Sequence, residues 1–389
     1  MAALSTPATP GLAPAFAKGH ALRATTITAM DIEQLRTRLR ALGADADHER
    51  HVLTRWLQAQ PQEGGRRRLQ DFMPLALRQA LPGLEAELAG LARLESEHPG
   101  EDGSARLLVA LHDGQTVEAV RLPRDGLCVS SQVGCAVGCL FCMTGRGGLL
   151  RQLGSAEIVA QVVLARSSQP ARALRKVVFM GMGEPAHNLD AVLEAITLLG
   201  TVGGIGHKSL VFSTVGDPRA FARLLALQPG QVRPALALSL HSTVAERRAE
   251  LLPRAPRLAP EELVAVGERY ARATGYPIQY QWTLIEGVND GPQEMDGIVR
   301  LLAGKYALMN LIPYNAVEGL AWRRPSWERA SELARGLHRR GVLTKLRHSA
   351  GQDVDAGCGQ LRARAAPRAA APVPVHMALQ PRPSGPSGP

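Results

Sequence analysis

Five cysteines occur in the chain, and three of them stand close together in the segment GCAVGCLFCMTG. Cys135, Cys139 and Cys142 have the spacing C-x3-C-x2-C, which arises by chance in roughly one chain per thousand or fewer. Three thiolates can bind three irons of a [4Fe-4S] cluster and leave one iron free to chelate a small molecule. The alternatives are a zinc site, to which Cys128 could add a fourth ligand, and buried structural cysteines.

The other two cysteines, Cys128 and Cys358, are separated by 230 residues and fit no metal-binding spacing. A pair of thiols that only the fold can bring together suits a nucleophile and a resolving thiol. Two unrelated buried cysteines are the alternative. The chemistry of both sets of thiols depends on the elements that position them.

Strands and helices alternate after the cysteine loop and predict an α/β fold. Short β-rich runs occupy 107–111, 117–122 and 127–130, and later apolar runs predict strands at 177–180, 210–213, 235–240, 280–285, 308–312 and 343–346. Helices with recognisable start signals are predicted at 156–166, 218–227, 260–274 and 327–340. Repeated βα units imply a parallel sheet, here a partial (β/α)6 barrel with its functional groups at the carboxyl ends of the strands.

The ends of the chain differ in composition from this core. Apolar residues recur at helical spacing between residues 31 and 97, which predicts a small helical domain. The cluster Arg66-Arg67-Arg68 in this domain is either a solvated loop or an RNA contact. The predicted organisation is a flexible tail, a helical accessory domain, a core with a β extension, and a disordered tail rich in Pro, Ala and Ser, at 1–25, 26–100, 101–363 and 364–389.

The overall charge of the chain favours a polyanionic partner. Lys and Arg number 45 against 35 Asp and Glu, a net charge of +10, and only five of the basic residues are Lys. Arginine suits bidentate contacts with phosphate, although a GC-rich genome would also enrich it. With 45% apolar and 21% charged residues the composition indicates a globular protein, and because only 4% of the residues are aromatic, a polyanion would be bound by arginine and shape more than by stacking. The odd number of cysteines predicts a protein of the reducing cytoplasm. The absence of a long apolar run in the sequence predicts that no segment spans a membrane.

The cysteine loop, set before a run of βα units, resembles the radical S-adenosylmethionine (SAM) superfamily. In that superfamily the open iron binds the amino and carboxylate groups of SAM, and reduction releases a 5′-deoxyadenosyl radical. Three motifs in order, LCVSSQVGC with Cys128, GMGEP after strand 177–180, and DVDAGCGQL with Cys358, resemble the RlmN/Cfr family of RNA adenine methyltransferases over residues 30 to 363. The resemblance implies one [4Fe-4S] cluster per chain and SAM as cofactors.

The resemblance also implies roles for residues at the strand ends. Gly183 and Glu184 of GMGEP would bind the amino group of SAM. Its ribose, carboxylate and adenine would contact a further set of residues at the ends of predicted strands, namely Ser213, Ser239, Leu240, His241 and Asn315. Taken singly, each of these could be a structural polar residue, and the side chain of His241 could simply bond to the backbone.

The family mechanism assigns the two remaining cysteines to methyl transfer. Cys358 takes a methyl group from one SAM, and a second SAM yields the radical that removes a hydrogen from the methylated Cys358. The carbon radical adds to the adenine ring, and Cys128 then attacks the sulfur of Cys358, forming a transient disulfide and freeing the methylated base. Glu118 matches the proposed proton acceptor, with an exposed strand residue as the alternative.

The predicted function is methylation of an adenine ring carbon, with C2 favoured over C8, in ribosomal RNA, with tRNA as a second candidate. A monomer supplied with electrons by a donor such as flavodoxin is expected. Met143, the sequence FSTVG and the missing basic residue before Gly351 depart from the common pattern and leave the RNA site open. The alternatives are a radical SAM enzyme acting on another nucleoside or a protein, and a non-catalytic zinc module that binds RNA.

Overall fold

The computed structural model of the protein describes residues 30–63 and 68–363. Within them the chain forms a mixed α/β fold built around one large sheet, which confirms the fold class predicted from the alternating apolar runs. The predicted tails 1–25 and 364–389 lie outside the described residues, as do Arg66 and Arg67 of the arginine cluster. Among the described helices, none is long and apolar enough to cross a membrane.

The described strands are β1 (Ala92–Pro99), β2 (Ala105–Leu111), β3 (Thr116–Leu122), β4 (Gly126–Cys128), β5 (Gln132–Gly134), β6 (Leu149–Gln152), β7 (Lys176–Phe179), β8 (Leu210–Thr214), β9 (Ala235–Ser239), β10 (Ile278–Leu284), β11 (Ala307–Pro313) and β12 (Thr344–Leu346). The main sheet has the order β1-β2-β3-β4-β7-β8-β9-β10-β11-β12, and β5 pairs with β6 in a separate hairpin. Neighbours from β1 to β4 are antiparallel, whereas those from β4 to β12 are parallel. The carboxyl ends of the parallel strands therefore meet at one edge of the sheet.

The described α-helices are α1 (Ile32–Ala41), α2 (Ala46–Leu57), α3 (Leu75–Gly90), α4 (Ser155–Ser168), α5 (Leu189–Thr201), α6 (Pro218–Leu225), α7 (Ala245–Leu251), α8 (Pro260–Thr274), α9 (Pro292–Leu302) and α10 (Trp327–Arg339). Their start signals act as the sequence predicts. The side chain of Asp217 accepts a hydrogen bond from the N–H of Arg219, and Ser326 accepts one from the N–H of Arg329. Helices therefore begin directly after the loops that carry the strand ends.

The helical spacing that predicts an N-terminal helical domain holds only as far as α3. Residues Ala92–Pro99 form β1, which pairs with β2 and joins the main sheet. This strand has the half-exposed, polar sequence ARLESEHP, and pairing with the fully buried β2 rather than its own apolar pattern determines its structure. Buried leucines of α1 to α3, such as Leu39, Leu53 and Leu77, pack in the same apolar core as the sheet.

The hairpin of β5 and β6 positions the cysteine loop. Cys135 follows β5 directly, and its N–H donates to the carbonyl oxygen of Gly148 at 2.9 Å. Gly134 has a φ of +78°, and a Cβ atom there would lie 2.0 Å from the same oxygen. Only glycine fits this position without distorting the start of the loop.

Gly134→Ala is therefore expected to destabilise the hairpin and the cysteine loop with it. We expect the free energy of unfolding to fall by more than about 2 kcal/mol, measured by urea denaturation. Gly147→Ala is the matched control, because a Cβ atom at Gly147 meets nothing within 4 Å. Equal stability of the two variants would contradict this account of Gly134.

Candidate active site

The cysteine loop is held by backbone hydrogen bonds to three separate parts of the fold. Besides the contact of Cys135 with its own hairpin, the N–H of Leu140 donates to the carbonyl of Leu251 in α7 at 3.0 Å. The N–H of Met143 donates to the carbonyl of Gly359, near the C-terminus, at 2.7 Å. Backbone contacts within the protein therefore hold the loop in place.

The three cysteines of the loop lie within electrostatic reach of one another. Burial raises the pKa of Cys135 to about 12 and raises those of Cys139 and Cys142, and the charges of Cys142 and Cys135 raise that of Cys139 further. In the part of the chain that the structure describes, no three His, Cys, Asp or Glu side chains surround a single metal position. In an iron–sulfur cluster each cysteine binds a different iron, and the ligating form is the thiolate.

Cys128 and Cys358 interact electrostatically at this site although they are far apart in the sequence. Cys128 ends β4 and is buried, whereas Cys358 is exposed. Burial, and then the charge of Cys358, raises the pKa of Cys128 to about 12. The charge of Cys358 also contributes to the raised pKa of Cys142. Cys358 therefore lies within electrostatic reach of the other isolated cysteine and of the cysteine loop.

Four of the hydrogen bonds that hold the C-terminal segment carrying Cys358, which we define as residues 352–363, connect it to the elements around the thiols. The amide of Asn315 donates to the carbonyl of Cys358 at 2.9 Å, and the guanidinium of Arg106 donates to that of Val354 at 2.7 Å. The N–H of Arg362 donates to a carboxylate oxygen of Glu118 at 2.7 Å. The remaining bond is the one from Met143 to Gly359 described above. The segment is fastened to β2, β3, the loop after β11 and the cysteine loop.

Glu118 is a buried, ion-paired residue in this arrangement. Its side chain is 1% exposed, so the alternative of an exposed strand residue is wrong. One carboxylate oxygen accepts from Arg106 and the other from the N–H of Arg362. Its surroundings are charged, and its visible role is to anchor the C-terminal segment. The role of proton acceptor stays a prediction.

The GMGEP turn after β7 places Gly183 and Glu184 beside the cysteine loop. Gly183 has a φ of +107°, and a Cβ atom there would lie 2.7 Å from Ser131 Oγ. Glu184 is buried, and its oxygens accept from the N–H groups of Ala186 and Val215, both at 3.1 Å. Burial raises the pKa of Glu184 to about 7. The charge of Glu184 also raises the pKa of Cys139, which places this carboxyl near the thiols.

His241 supports the cysteine loop through its ring. Its Nδ1 accepts a hydrogen bond from the N–H of Thr283 at 2.9 Å, which is the structural alternative that the sequence leaves open. Its ring lies 4.6 Å from that of Phe141, which stands between Cys139 and Cys142. Burial, and then the charge of Arg248, lowers the pKa of His241 to about 3, so the ring is neutral.

The other predicted SAM contacts differ in whether their polar groups already have hydrogen-bond partners in the protein. Among the described residues, the hydroxyls of Ser213 on β8 and Ser239 at the end of β9 have no protein hydrogen-bond partner, which leaves both for a ligand. Leu240 is fully buried, and its N–H donates to Gln281. The amide of Asn315 is committed, because it donates to Ser349 and Cys358 and accepts from Arg324.

Sequence reasoning missed three buried polar side chains inside the barrel. Arg248 Nε, Gln281 Oε1 and Asn310 Nδ2 have no hydrogen-bond partner. Gln281 and Asn310 are register partners on β10 and β11, and Gln281 also pairs with Ser239. Buried polar atoms without partners cost energy, so this set suits a polar ligand such as SAM. Polar residues at alternate positions of otherwise apolar strands are the pattern that could have revealed them.

Comparisons with known proteins identify relatives of the chain, although no family model matches it. A protein of Methylibium petroleiphilum described as a probable RNA methyltransferase is 75% identical over 336 residues, covering 86% of this chain and 94% of that protein. One of Pseudomonas aeruginosa with the same description is 66% identical over 339 residues, covering 86% and 96%. The crystal structure of a radical SAM methyltransferase from Sphaerobacter thermophilus matches with a TM-score of 0.73 and 34% identity, covering 86% and 98%.

The parallel sheet with a three-cysteine loop at its carboxyl edge, together with this structural match, defines the radical SAM methyltransferase fold. The chain belongs to the same family as the probable RNA methyltransferases of Methylibium petroleiphilum and Pseudomonas aeruginosa. The resemblance of the motifs is confirmed at this level. The narrower assignment to the RlmN/Cfr family stays a prediction.

The low pKa of His241 predicts a loss of stability in acid. Because its pKa in the fold is about 3 and its ordinary value is 6.5, only the unfolded chain gains a proton as the pH falls below 6.5. Between about pH 7 and pH 5 this residue alone should lower the free energy of unfolding by about 2 kcal/mol. His241→Asn keeps an acceptor for Thr283 and does not titrate. Urea unfolding at both pH values should therefore show a smaller decline in the variant, and equal declines would contradict this prediction.

Proposed function

We propose that the protein methylates a ring carbon of adenine in RNA, using SAM and a [4Fe-4S] cluster bound by Cys135, Cys139 and Cys142. The observation that carries the proposal is the hydrogen bond that joins the cysteine loop to Gly359, next to Cys358, together with the electrostatic interaction of Cys358 with Cys128 and Cys142. A ring carbon of adenine between two nitrogens is electron-poor and cannot attack the methyl group of SAM directly. A second, protein-borne sulfur near the cluster loop supplies the detour that this chemistry needs.

The residues present fit the two cofactors. Three neighbouring thiols match a cluster with one open iron, and the unpartnered atoms Arg248 Nε, Gln281 Oε1 and Asn310 Nδ2 suit hydrogen bonds to SAM. We assign further SAM contacts to the residues that the family resemblance indicates, namely Gly183, Glu184, Ser213, Ser239, Leu240, His241 and Asn315. When bound, the cluster supplies the electron that cleaves SAM, and SAM supplies the methyl group and the hydrogen-abstracting fragment.

Cys358 suits the role of methyl carrier because its side chain is exposed next to the cysteine loop. Displacement on SAM would form a bond between its sulfur and the methyl carbon and break the bond from that carbon to the sulfonium sulfur, which leaves as S-adenosylhomocysteine. Cys128 suits the role of resolving thiol, since it lies within electrostatic reach of the sulfur of Cys358. Once the ring proton has been lost, its attack would form a disulfide and break the bond between sulfur and carbon, and the electron pair would leave with that carbon, which takes a proton to become the methyl group of the base.

Glu118 is proposed as the acceptor of the ring proton, in addition to its role as an anchor. It lies on β3 two residues from Val120, which pairs with Cys128, so Glu118 and Cys128 share one face of the sheet. Both of its oxygens are occupied by Arg106 and Arg362. An oxygen becomes available when the C-terminal segment releases the N–H of Arg362.

The substrate and setting follow from the family resemblance. We propose ribosomal RNA, with tRNA as a second candidate, and position C2 of adenine ahead of C8. A monomer in the cytoplasm that receives electrons from a donor such as flavodoxin fits five free cysteines. The relatives of the chain, described as probable RNA methyltransferases, support RNA as the substrate class.

Replacing Cys358 or Cys128 with alanine is expected to stop methylation at different stages. The proteins are purified without oxygen and incubated with SAM, a reductant and ribosomal RNA from cells that lack the gene. Mass spectrometry of the digested RNA should show methyladenosine only with the unchanged protein. Cys128→Ala should accumulate RNA covalently attached to the protein, because nothing frees the base, whereas Cys358→Ala should show no adduct.

Iron content is the control for this experiment. The unchanged protein and both variants should contain about four irons per chain, since neither replaced cysteine belongs to the loop. Methyladenosine formed by Cys358→Ala would refute the proposed mechanism. Colourless protein containing one zinc and no iron would instead support the non-catalytic RNA-binding module.

A further inference from the structure

Lys176, Lys345 and Arg347 form a cluster of positive charge on the face of the main sheet that carries Cys128, which we call the basic seam. Lys176 begins β7 two residues before Val178, which pairs with Cys128. Because alternate residues of a strand point to the same side, Lys176 lies on the face of the sheet that carries Cys128. One part of the seam is thus placed by the strand that borders the thiols.

The other two cations come from β12, the last strand of the parallel part of the sheet, and from the residue that follows it. Lys345 lies in β12 and Arg347 directly follows it, again on one face, and the N–H of Arg347 donates to the carbonyl of Leu311 at 2.9 Å. The charge of Arg347 lowers the pKa of Cys128, while burial and then the charges of Arg347 and Lys345 lower that of Lys176. The cations of β7 and β12 therefore lie within electrostatic reach of one another, and Arg347 lies within electrostatic reach of Cys128.

Among the described residues, no carboxylate pairs with any of the three cations. Neither Lys176, Lys345 nor Arg347 takes part in a salt bridge or a side-chain hydrogen bond. The nearest candidate, Asp125, bonds to Lys176 only through its backbone, and its carboxylate faces Arg172 and Arg175 at 3.8 Å. By contrast, the buried Arg106 and the partly buried Arg151 both have carboxylate partners.

Like charges held close together without counter-ions repel one another, so a cluster of this kind favours an anion at the same place. Lys176 and Lys345 are exposed, and Arg347 is half-buried, so all three can reach a ligand that approaches this face of the sheet. A polyanion whose phosphates are regularly spaced can contact several cations at once. RNA is the polyanion that the proposed function brings to the site of Cys128 and Cys358.

We propose that the basic seam binds backbone phosphates of the RNA next to the target nucleotide, and so presents the base to Cys358. This inference rests on the proposed function for its ligand. Phosphate contacts position a nucleic acid without reading its sequence, so the seam contributes affinity and placement and leaves base selection to other groups. The contact is electrostatic, and its strength depends on salt.

The test compares two triple variants that remove equal charge. Lys176→Gln, Lys345→Gln and Arg347→Gln together neutralise the seam. Three exposed cations elsewhere that also take part in no salt bridge, changed together as Lys208→Gln, Lys305→Gln and Arg339→Gln, form the matched control. Binding of a labelled single-stranded RNA of about 20 nucleotides is measured by fluorescence anisotropy between about 50 and 200 mM KCl.

The seam variant is expected to bind the RNA about tenfold more weakly or worse at the lower salt concentration. The slope of log Kd against log salt should fall by about 2, since each phosphate contact on a single strand contributes about 0.7. The control variant should keep most of its affinity for the RNA and most of the slope. Equal losses in the two variants, or an unchanged slope in the seam variant, would overturn the proposal.

Two further measurements separate the seam from folding and from the proposed reaction. The charge-preserving variant Lys345→Arg with Arg347→Lys should retain binding, and thermal melting should give the same Tm for all variants. Cys358→Ala should bind RNA with the unchanged slope while transferring no methyl group. If the unchanged protein binds RNA through the seam but methylates none, the proposed function fails and the seam stands.

Discussion

The arrangement of the site depends on one constraint, the fastening of the C-terminal segment across the cysteine loop. Hydrogen bonds with Arg106, Glu118, Asn315 and Met143 are among those that hold residues 352–363. Their partners are brought together only when β2, β3, β11 and the cysteine loop occupy their final places. The meeting of Cys128 and Cys358 is therefore a product of the whole fold and not of any local motif.

The same constraint consists largely of individual hydrogen bonds. Each exchanges with water on opening, so a bond between neutral groups contributes about 0.5–1.5 kcal/mol of net stability and one to a charged group about 1.5–3 kcal/mol. In the segment, Ala356 and Leu361 are the apolar side chains buried in the main core, which limits the cost of releasing it. A segment held mainly by hydrogen bonds opens at lower free energy than the strands beneath it. This suits a sulfur that would meet two SAM molecules, an RNA base and a second cysteine in turn.

The sequence predicts the parallel strands and their helices well because those patterns are local. The run 210–213 falls within Leu210–Thr214, and the helix predicted at 260–274 has those bounds in the structure. The strand Ala92–Pro99 is missed because pairing with its neighbour, not its own pattern, determines it. Asn315 lies where a ligand contact is predicted, yet its amide is used by Cys358 and Arg324, and such a contact depends on residues far away in the sequence.

Burial keeps Cys128 in the thiol form, and anchoring of the C-terminal segment occupies the carboxylate of Glu118. The thiolate is the attacking form of cysteine, and a pKa of about 12 keeps Cys128 protonated, which slows disulfide formation with Cys358 before a substrate arrives. Glu118, the proposed acceptor of the ring proton, shares a face of the sheet with Cys128, but the N–H of Arg362 occupies one of its oxygens while the C-terminal segment is closed. Opening of the segment would thus move Cys358 and release this oxygen of Glu118 at the same time.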